Sequence, residues 1–174
     1  MKRAIIFAIA IGMAACGDDN GNPAGPSNTG PIVFTVQMSA ANEVPPVTNA
    51  ESGARGTATI TFDVPRDSSG NPTGGGTANF SVQLSGFPAG TPAIAAHIHP
   101  GAAGATGGVF LGVSGLSAAA PVVMADGTGT LSFTGTTVSQ TQAQQIMDNP
   151  SGYYFNVHTP VNPGGAVRGQ LVRQ

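Results

Sequence analysis

The chain has 174 residues, of which only 8% are charged, with 26 glycines, 14 prolines and a formal net charge of −2 at pH 7. This length accommodates one domain with a hydrophobic core, and the abundance of glycine and proline favours short strands and turns over long helices. Without Lys2 and Arg3, four basic residues would remain against eight acids, a net charge of −4. Because a weakly acidic domain without a basic stripe binds nucleic acid poorly, no nucleic-acid partner is expected.

The N-terminus has the pattern of an export signal. Lys2 and Arg3 precede a short apolar run over residues 4–15, which ends in small residues just before the single cysteine, Cys16. This pattern predicts a signal peptide over residues 1–15, and the run is too short to span a bilayer permanently.

The residues around the predicted cleavage point, Met13-Ala14-Ala15-Cys16, resemble a bacterial lipobox. The resemblance implies that Cys16 is lipidated and becomes the mature N-terminus, so that the protein is exported and anchored in the cell envelope, facing the periplasm or the surface. The alternative is an ordinary signal peptide followed by an unpaired cysteine. In either case no disulfide is available to stabilise the fold, because the chain has one cysteine.

Residues 16–30 are predicted to form a lipidated cysteine and a flexible tether, because residues 17–30 contain no apolar side chain larger than alanine or proline and cannot repay the entropy of ordering. The folded domain is expected over residues 31–174. Its expected partners are the membrane, through the anchor, and an unidentified extracytoplasmic protein or ligand.

The domain is predicted to consist of about eight β-strands separated by turns. The alternation of apolar and polar residues, bounded by glycine, proline, asparagine and aspartate, predicts strands at these positions: 32–39, 58–64, 77–87, 93–99, 107–113, 128–134, 153–158 and 166–172. In the first strand the apolar run is nearly continuous, which leaves its buried face open.

Short strands at near-regular spacing favour an all-β fold, an antiparallel Greek-key-like β-sandwich or flattened barrel. One short helix is expected over residues 139–148. Ser139 and Gln142 have the spacing of a capping box, and Asn149-Pro150 ends the segment.

The three histidines are the main candidates for chemistry. Because side chains alternate along a strand, His97 and His99 are expected to share one face while Ala96 and Ile98 share the other. His158 lies in a second strand-like run, where it shares a face with Tyr154 and Asn156. Whether these two faces meet decides between the functional interpretations.

Three stretches, taken together and in this order, resemble the chordin-type CHRD domain: residues 43–47, residues 97–101, and residues 154–159 followed by 162–171. The resemblance implies a domain found in chordin, an extracellular antagonist of growth factors, and in secreted bacterial proteins of unknown role. It therefore favours a noncatalytic binding or structural module. The sequence departs from the family at Ala166, where an acidic residue usually precedes the arginine motif.

Metal binding is the alternative function. Two histidines from one strand and a third from a neighbouring strand can supply three imidazole nitrogens with an open fourth position, as in catalytic zinc and some copper sites. His97, His99 and His158 are therefore candidate ligands of one Cu or Zn ion, and a copper ion would be redox-active. The His-x-His spacing also resembles copper/zinc superoxide dismutase, but three histidines are too few for its binuclear centre.

A purely structural role for the same region is the competing interpretation. A buried Arg168 would need a carboxylate partner, and Glu43, beside the Pro45-Pro46 turn, is the best placed acid. Asn156 would complete a polar network with these two residues. No catalytic residues are assigned, because the chain has no nucleophile elbow that opens a helix, and an enzyme is the less favoured interpretation.

Overall fold

A computed structural model of the protein describes residues 30–174; the predicted signal peptide (1–15), Cys16 and all but the last residue of the predicted tether lie outside these residues. The described part contains ten strands. They are β1 (Ile32–Ser39), β2 (Arg55–Asp63), β3 (Gly76–Ser85), β4 (Thr91–Ala93), β5 (Ala95–Pro100), β6 (Leu111–Gly112), β7 (Val122–Met124), β8 (Gly129–Val138), β9 (Tyr153–His158) and β10 (Val167–Arg173).

Eight of these strands form one antiparallel sheet in the order β6-β5-β9-β10-β1-β2-β3-β8, nearly closed as a barrel, and β4 and β7 form a small second sheet. The prediction of an antiparallel all-β fold is confirmed. The topology matters for function because β9 lies between β5 and β10. Since β9 carries His158 and β5 carries His97 and His99, the two strands that carry the histidines lie side by side.

The barrel interior is built from the apolar side of each alternating strand. In β1 the buried residues are Ile32, Phe34, Val36 and Met38, which settles which of its faces is buried. Phe34 makes an edge-to-face contact with Phe62 of β2, with ring centres 5.2 Å apart, a favoured aromatic geometry. The opposite side of the sheet is the outer face.

The single α-helix, α1 (Gln140–Asp148), agrees with the prediction to within one residue. The Ser139 side chain accepts a hydrogen bond from the Gln142 backbone, and the Gln142 side chain accepts one from the Ser139 backbone, which completes the capping box. Ala143, Ile146 and Met147 are buried. Within residues 30–174, no helix has the length and apolar character needed to cross a membrane.

Two of the predicted strands are shortened or divided in the structure, and one short strand was not predicted. The predicted strand at 107–113 is reduced to β6, because Gly107 to Phe110 belong to a loop. The predicted strand at 93–99 is divided between β4 and β5, which pair in different sheets. A strand that was not predicted, β7, pairs with β4. Such short strands are too brief to show a period-two pattern.

Candidate functional site

The outer face of β5 and β9 brings the three histidines together. In the antiparallel register His97 lies opposite Asn156, Ala95 opposite His158, and His99 opposite Tyr154. Ala96 and Ile98, which point the other way, are 2% and 0% exposed in the core. The predicted alternation of β5 is confirmed, and the two histidine faces meet.

The imidazole rings are close enough to share one ligand. His97 Nδ1 lies 2.9 Å from His158 Nε2, and one ring nitrogen from each of the three histidines lies within 4.8 Å of the others. A tetrahedral ion about 2.0–2.1 Å from each nitrogen requires separations of roughly 3.3 Å. The 2.9 Å separation is slightly shorter than this value, and the other separations do not exceed 4.8 Å, so the three histidines lie within reach of a single ion.

Two backbone carbonyls determine which ring nitrogens carry protons. His99 Nδ1 is 3.0 Å from the Gly107 carbonyl oxygen, and His158 Nδ1 is 3.0 Å from that of Pro163. Because a carbonyl oxygen only accepts, each Nδ1 must donate its proton, and in the neutral ring Nε2 then presents a lone pair. His99 Nε2 is buried and has no hydrogen-bond partner.

Burial keeps two of the rings uncharged at neutral pH. Desolvation, followed by the neighbouring His158 and His99, lowers the pKa of His97 to about 4. Desolvation also lowers the pKa of His158, against an opposing hydrogen bond to Pro163. Since metals bind the deprotonated ring, both imidazoles are in the binding form at pH 7.

The loop after β5 is anchored at Gly107, next to His99. Besides accepting from His99, Gly107 donates its N–H to the Tyr154 hydroxyl at 3.4 Å. A side chain at this position would collide with the Pro100 carbonyl, so the approach requires glycine. Fixing the loop fixes the carbonyl that orients His99.

Tyr154 lies between His99 and Arg168. The His99 and Tyr154 rings are stacked, with centres 5.0 Å apart and planes 8° from parallel. The guanidinium carbon of Arg168 lies 3.9 Å from the centre of the same ring, within the range of a cation–π contact. Since β5 and β10 flank β9 on opposite sides, the stack links the histidines to Arg168.

The residues of the predicted structural network are neighbours, but Glu43 and Arg168 are not directly bonded. Asn156 lies opposite Arg168 in the β9–β10 register. Both Glu43 and Arg168 are buried and line one cavity, yet within residues 30–174 Glu43 Oε1, Asn156 Oδ1 and Arg168 Nη2 have no hydrogen-bond partner. Desolvation raises the pKa of Glu43 to about 7, opposed by the charge of Arg168.

A second buried carboxylate, Glu51, was not predicted from the sequence. This side chain is 1% exposed. Its Oε2 accepts hydrogen bonds from Thr159 Oγ1 at 2.7 Å and Asn162 Nδ2 at 2.6 Å, which ties the β1–β2 connection to the β9–β10 connection. In sequence, Ala50-Glu51-Ser52-Gly53 is typical of an exposed turn, so no local pattern indicated that Glu51 is buried.

Comparison with known proteins identifies a family. A family model described as the CHRD domain matches residues 34–171, which includes the three histidines, Glu43 and Arg168. No curated protein and no solved structure matches the chain.

Proposed function

This chain belongs to the CHRD domain family, and we propose that it is a noncatalytic binding module whose ligand is one copper or zinc ion held by His97, His99 and His158. The family favours a noncatalytic module. The geometry of the three histidines favours the metal as its ligand.

The observation that carries the proposal is the orientation of His99 and His158 by backbone carbonyls. Each ring donates Nδ1–H to a carbonyl at 3.0 Å, the arrangement by which metal-binding histidines are usually fixed in one tautomer. A buried Nε2 without a partner, as in His99, is uncommon in proteins. A bound cation would satisfy it.

The donor set favours copper or zinc over harder cations. Three imidazole nitrogens suit zinc and copper, whereas magnesium and calcium prefer oxygen ligands. With three protein ligands, a fourth position stays open for water or an external donor. His97 is the ring that would adjust, because it is only half-buried and its ring nitrogens make no hydrogen bond to a carbonyl in the described residues.

The test is metal titration of the purified, metal-free protein. We expect Zn²⁺ and Cu²⁺ each to bind at one equivalent by isothermal titration calorimetry, and the Cu²⁺ form to show nitrogen hyperfine splitting in its electron paramagnetic resonance spectrum. His97→Gln and His158→Gln should each weaken binding by more than the roughly 10–100-fold typical of losing a supporting partner. Gln144→His, which adds an imidazole on the distant helix α1, controls for surface binding.

The competing structural role predicts a different result. If the histidines serve only as a hydrogen-bonded pair, with His97 Nδ1 donating to His158 Nε2, the protein binds less than one equivalent of metal. In that case the histidine variants lower the melting temperature without changing metal uptake. That combination of results would overturn the metal proposal while leaving a noncatalytic module in place.

We also propose that the module is exported and anchored in the cell envelope through lipid on Cys16. The support is the lipobox-like sequence ahead of a glycine- and proline-rich tether. Expression in a bacterial host should place the protein in the membrane fraction with a mass increase from acyl chains on its first residue. Cys16→Ser should release it from that fraction, and a wild-type protein without acyl chains would contradict the proposal.

A further inference from the structure

The groups beside the three histidines in the sheet are uncharged. His97 lies opposite Asn156 of β9 on one side and Gly112 of β6 on the other, and His158 lies opposite Ala95. An amide, a glycine and a methyl group carry no charge. Within residues 30–174, the group of possible metal ligands contains the three histidines and no aspartate, glutamate or cysteine. An ion held there gains nitrogen donors but no negative charge.

The groups that orient the rings add no negative charge either. Two backbone carbonyls accept hydrogen bonds from two of the rings, and His99 is stacked on the phenol ring of Tyr154. Beyond Tyr154, the guanidinium carbon of Arg168 lies 3.9 Å from the ring centre, and Glu43 is the acid that faces Arg168. Because an arginine is always charged, this pair of side chains is neutral or positive and never negative.

Burial makes the charge of the ion important. His99 and His158 are each 7% exposed. Moving an ion out of water costs free energy that rises with the square of its charge. A doubly charged ion therefore loses far more solvation at this site than a singly charged one, and three neutral rings return none of it by neutralising the charge. The surroundings favour a singly charged ion.

The number of ligands favours the same kind of ion. Zn²⁺ takes four ligands in protein sites, and this group of possible ligands supplies three. Cu⁺ has half the charge of Zn²⁺ and is stable with three ligands arranged in a plane. Imidazole is a suitable donor for copper. Three histidines therefore complete the coordination of Cu⁺ but leave that of a divalent ion incomplete.

His97 provides access to the two buried ligands. Its side chain is half-buried, and the neighbouring Gly112 is exposed and has no side chain to cover the ring. The ring nitrogens of His97 contact His158 Nε2 at 2.9 Å and no backbone carbonyl in the described residues. A bare ion occupies only the space between the three nitrogens, so it needs a displacement of this one ring and no open cavity.

On the basis of the three-histidine site proposed above, we propose that its preferred ion is cuprous copper, Cu⁺, with His97, His99 and His158 as its three ligands. Cu²⁺ and Zn²⁺ bind at the same place but more weakly, because each needs a fourth ligand and a negative charge from solution. A site that binds Cu⁺ more tightly than Cu²⁺ favours the uptake of one electron by Cu²⁺. The reduction potential of the bound copper is therefore higher than that of copper in water.

The test compares the affinities of three ions for the full chain. Cys16→Ser is included throughout, because it removes the only thiol of the chain, a group that also binds Cu⁺. Cu⁺ is supplied without oxygen against bicinchoninate as the competing chelator, and Cu²⁺ and Zn²⁺ are titrated in the same buffer. We expect one equivalent of Cu⁺ to bind more tightly than either divalent ion, by about tenfold or more. The reduction potential, measured separately, should rise by the amount that the two copper affinities require.

Substitutions at Gly112 test whether the lack of negative charge sets the preference. A Cβ at this exposed position would lie 3.5 Å from His97 Cδ2, an ordinary van der Waals contact. Gly112→Asp places a carboxylate beside the ring, and it should shift the ratio of affinities toward Cu²⁺ and Zn²⁺ by about tenfold. The reduction potential should fall accordingly. Gly112→Asn has the same shape without the charge and should keep the preference of the wild type.

The ligands of the bound Cu⁺ can be observed directly. X-ray absorption should show three nitrogen ligands and no sulfur, and His97→Gln should lose the one-equivalent binding. Tighter binding of Cu²⁺ or Zn²⁺ than of Cu⁺, or equal effects of Gly112→Asp and Gly112→Asn on the ratio of affinities, would overturn the preference for Cu⁺ and leave the metal site in place. Failure of all three ions to bind would overturn the metal site as well.

Discussion

The guanidinium carbon of Arg168 lies 3.9 Å from the centre of the Tyr154 ring, on the side of that ring opposite the strand that carries His99. Tyr154 thus links the cluster of three histidines to the buried guanidinium of Arg168. Because Arg168 is buried against this ring, a substitution at Arg168 is expected to lower the stability of the fold.

Replacing Arg168 by alanine removes the stack on Tyr154 and the positive charge that faces Glu43. We expect Arg168→Ala to lower the free energy of unfolding by about 3–5 kcal/mol, the range for removing one member of a buried charged set, as measured by urea denaturation at pH 8. Arg173→Ala, in the same strand but exposed, should change it by less than about 0.5 kcal/mol. Equal losses of stability for the two variants would contradict a stabilising role that is specific to the buried Arg168.

Glu43 should make the fold less stable as pH rises. Its pKa is raised from 4.5 to about 7 in the folded protein, so between these values the folded state binds more protons than the unfolded state. The stabilisation is complete below pH 4.5 and is lost as pH rises through 7. The difference in unfolding free energy between wild type and Glu43→Gln should therefore decrease from pH 4.5 to pH 7.5.

The control for Glu43 is Asp67→Asn. Hydrogen bonds from the Asn71 and Ser69 backbone lower the pKa of this exposed group, so it does not titrate in that window. A difference between wild type and Glu43→Gln that stays constant with pH would show that folding does not raise the pKa of Glu43.

His97 should make the fold less stable as pH falls, the opposite of the effect of Glu43. Its pKa is lowered from 6.5 to about 4 in the folded protein, so the unfolded state binds more protons between these values. The stability that the neutral ring contributes is present above pH 6.5 and is lost as pH falls toward 4. Metal-free His97→Gln should lose less stability than wild type over this range in denaturation experiments, and parallel curves would contradict the shift.

The contact between Gly165 and Glu43 can be tested by adding one methyl group. Gly165 has φ = +137°, and a Cβ would lie 2.5 Å from Glu43 Oε1. We expect Gly165→Ala to reduce the unfolding free energy by about 1–3 kcal/mol, through backbone strain and displacement of the carboxylate. Gly164→Ala is the matched control, because no atom lies within 4 Å of its Cβ position, and a similar loss there would disprove the contact.

The burial of the Glu51 carboxylate depends on the two side chains that donate hydrogen bonds to it. Thr159→Val keeps the shape of a fully buried residue but removes the hydroxyl that donates to Glu51 Oε2 at 2.7 Å. We expect a loss of about 1–3 kcal/mol in thermal or urea unfolding, since a buried acceptor loses a partner. Thr59→Val, at an exposed strand position, should be nearly neutral, and an equally small effect of Thr159→Val would contradict the role.

Local patterns in the sequence were sufficient to predict the longer strands and the helix of the fold. Alternation predicted that His97 and His99 share a face, and the capping box predicted where α1 begins, because both depend on residues a few positions apart. The motifs of residues 43–47, 97–101 and 154–171 were sufficient to identify the family.

Only the tertiary structure decided which faces meet. His158 is 61 residues from His97, and its position beside that ring depends on β9 pairing with β5, a choice of neighbours that no local period encodes. The burial of Glu51 and the separation of Glu43 from Arg168 likewise arise from loops folded over the outer face. Side-chain direction is thus a property of the individual strand, whereas the sites are made by pairing between strands distant in sequence.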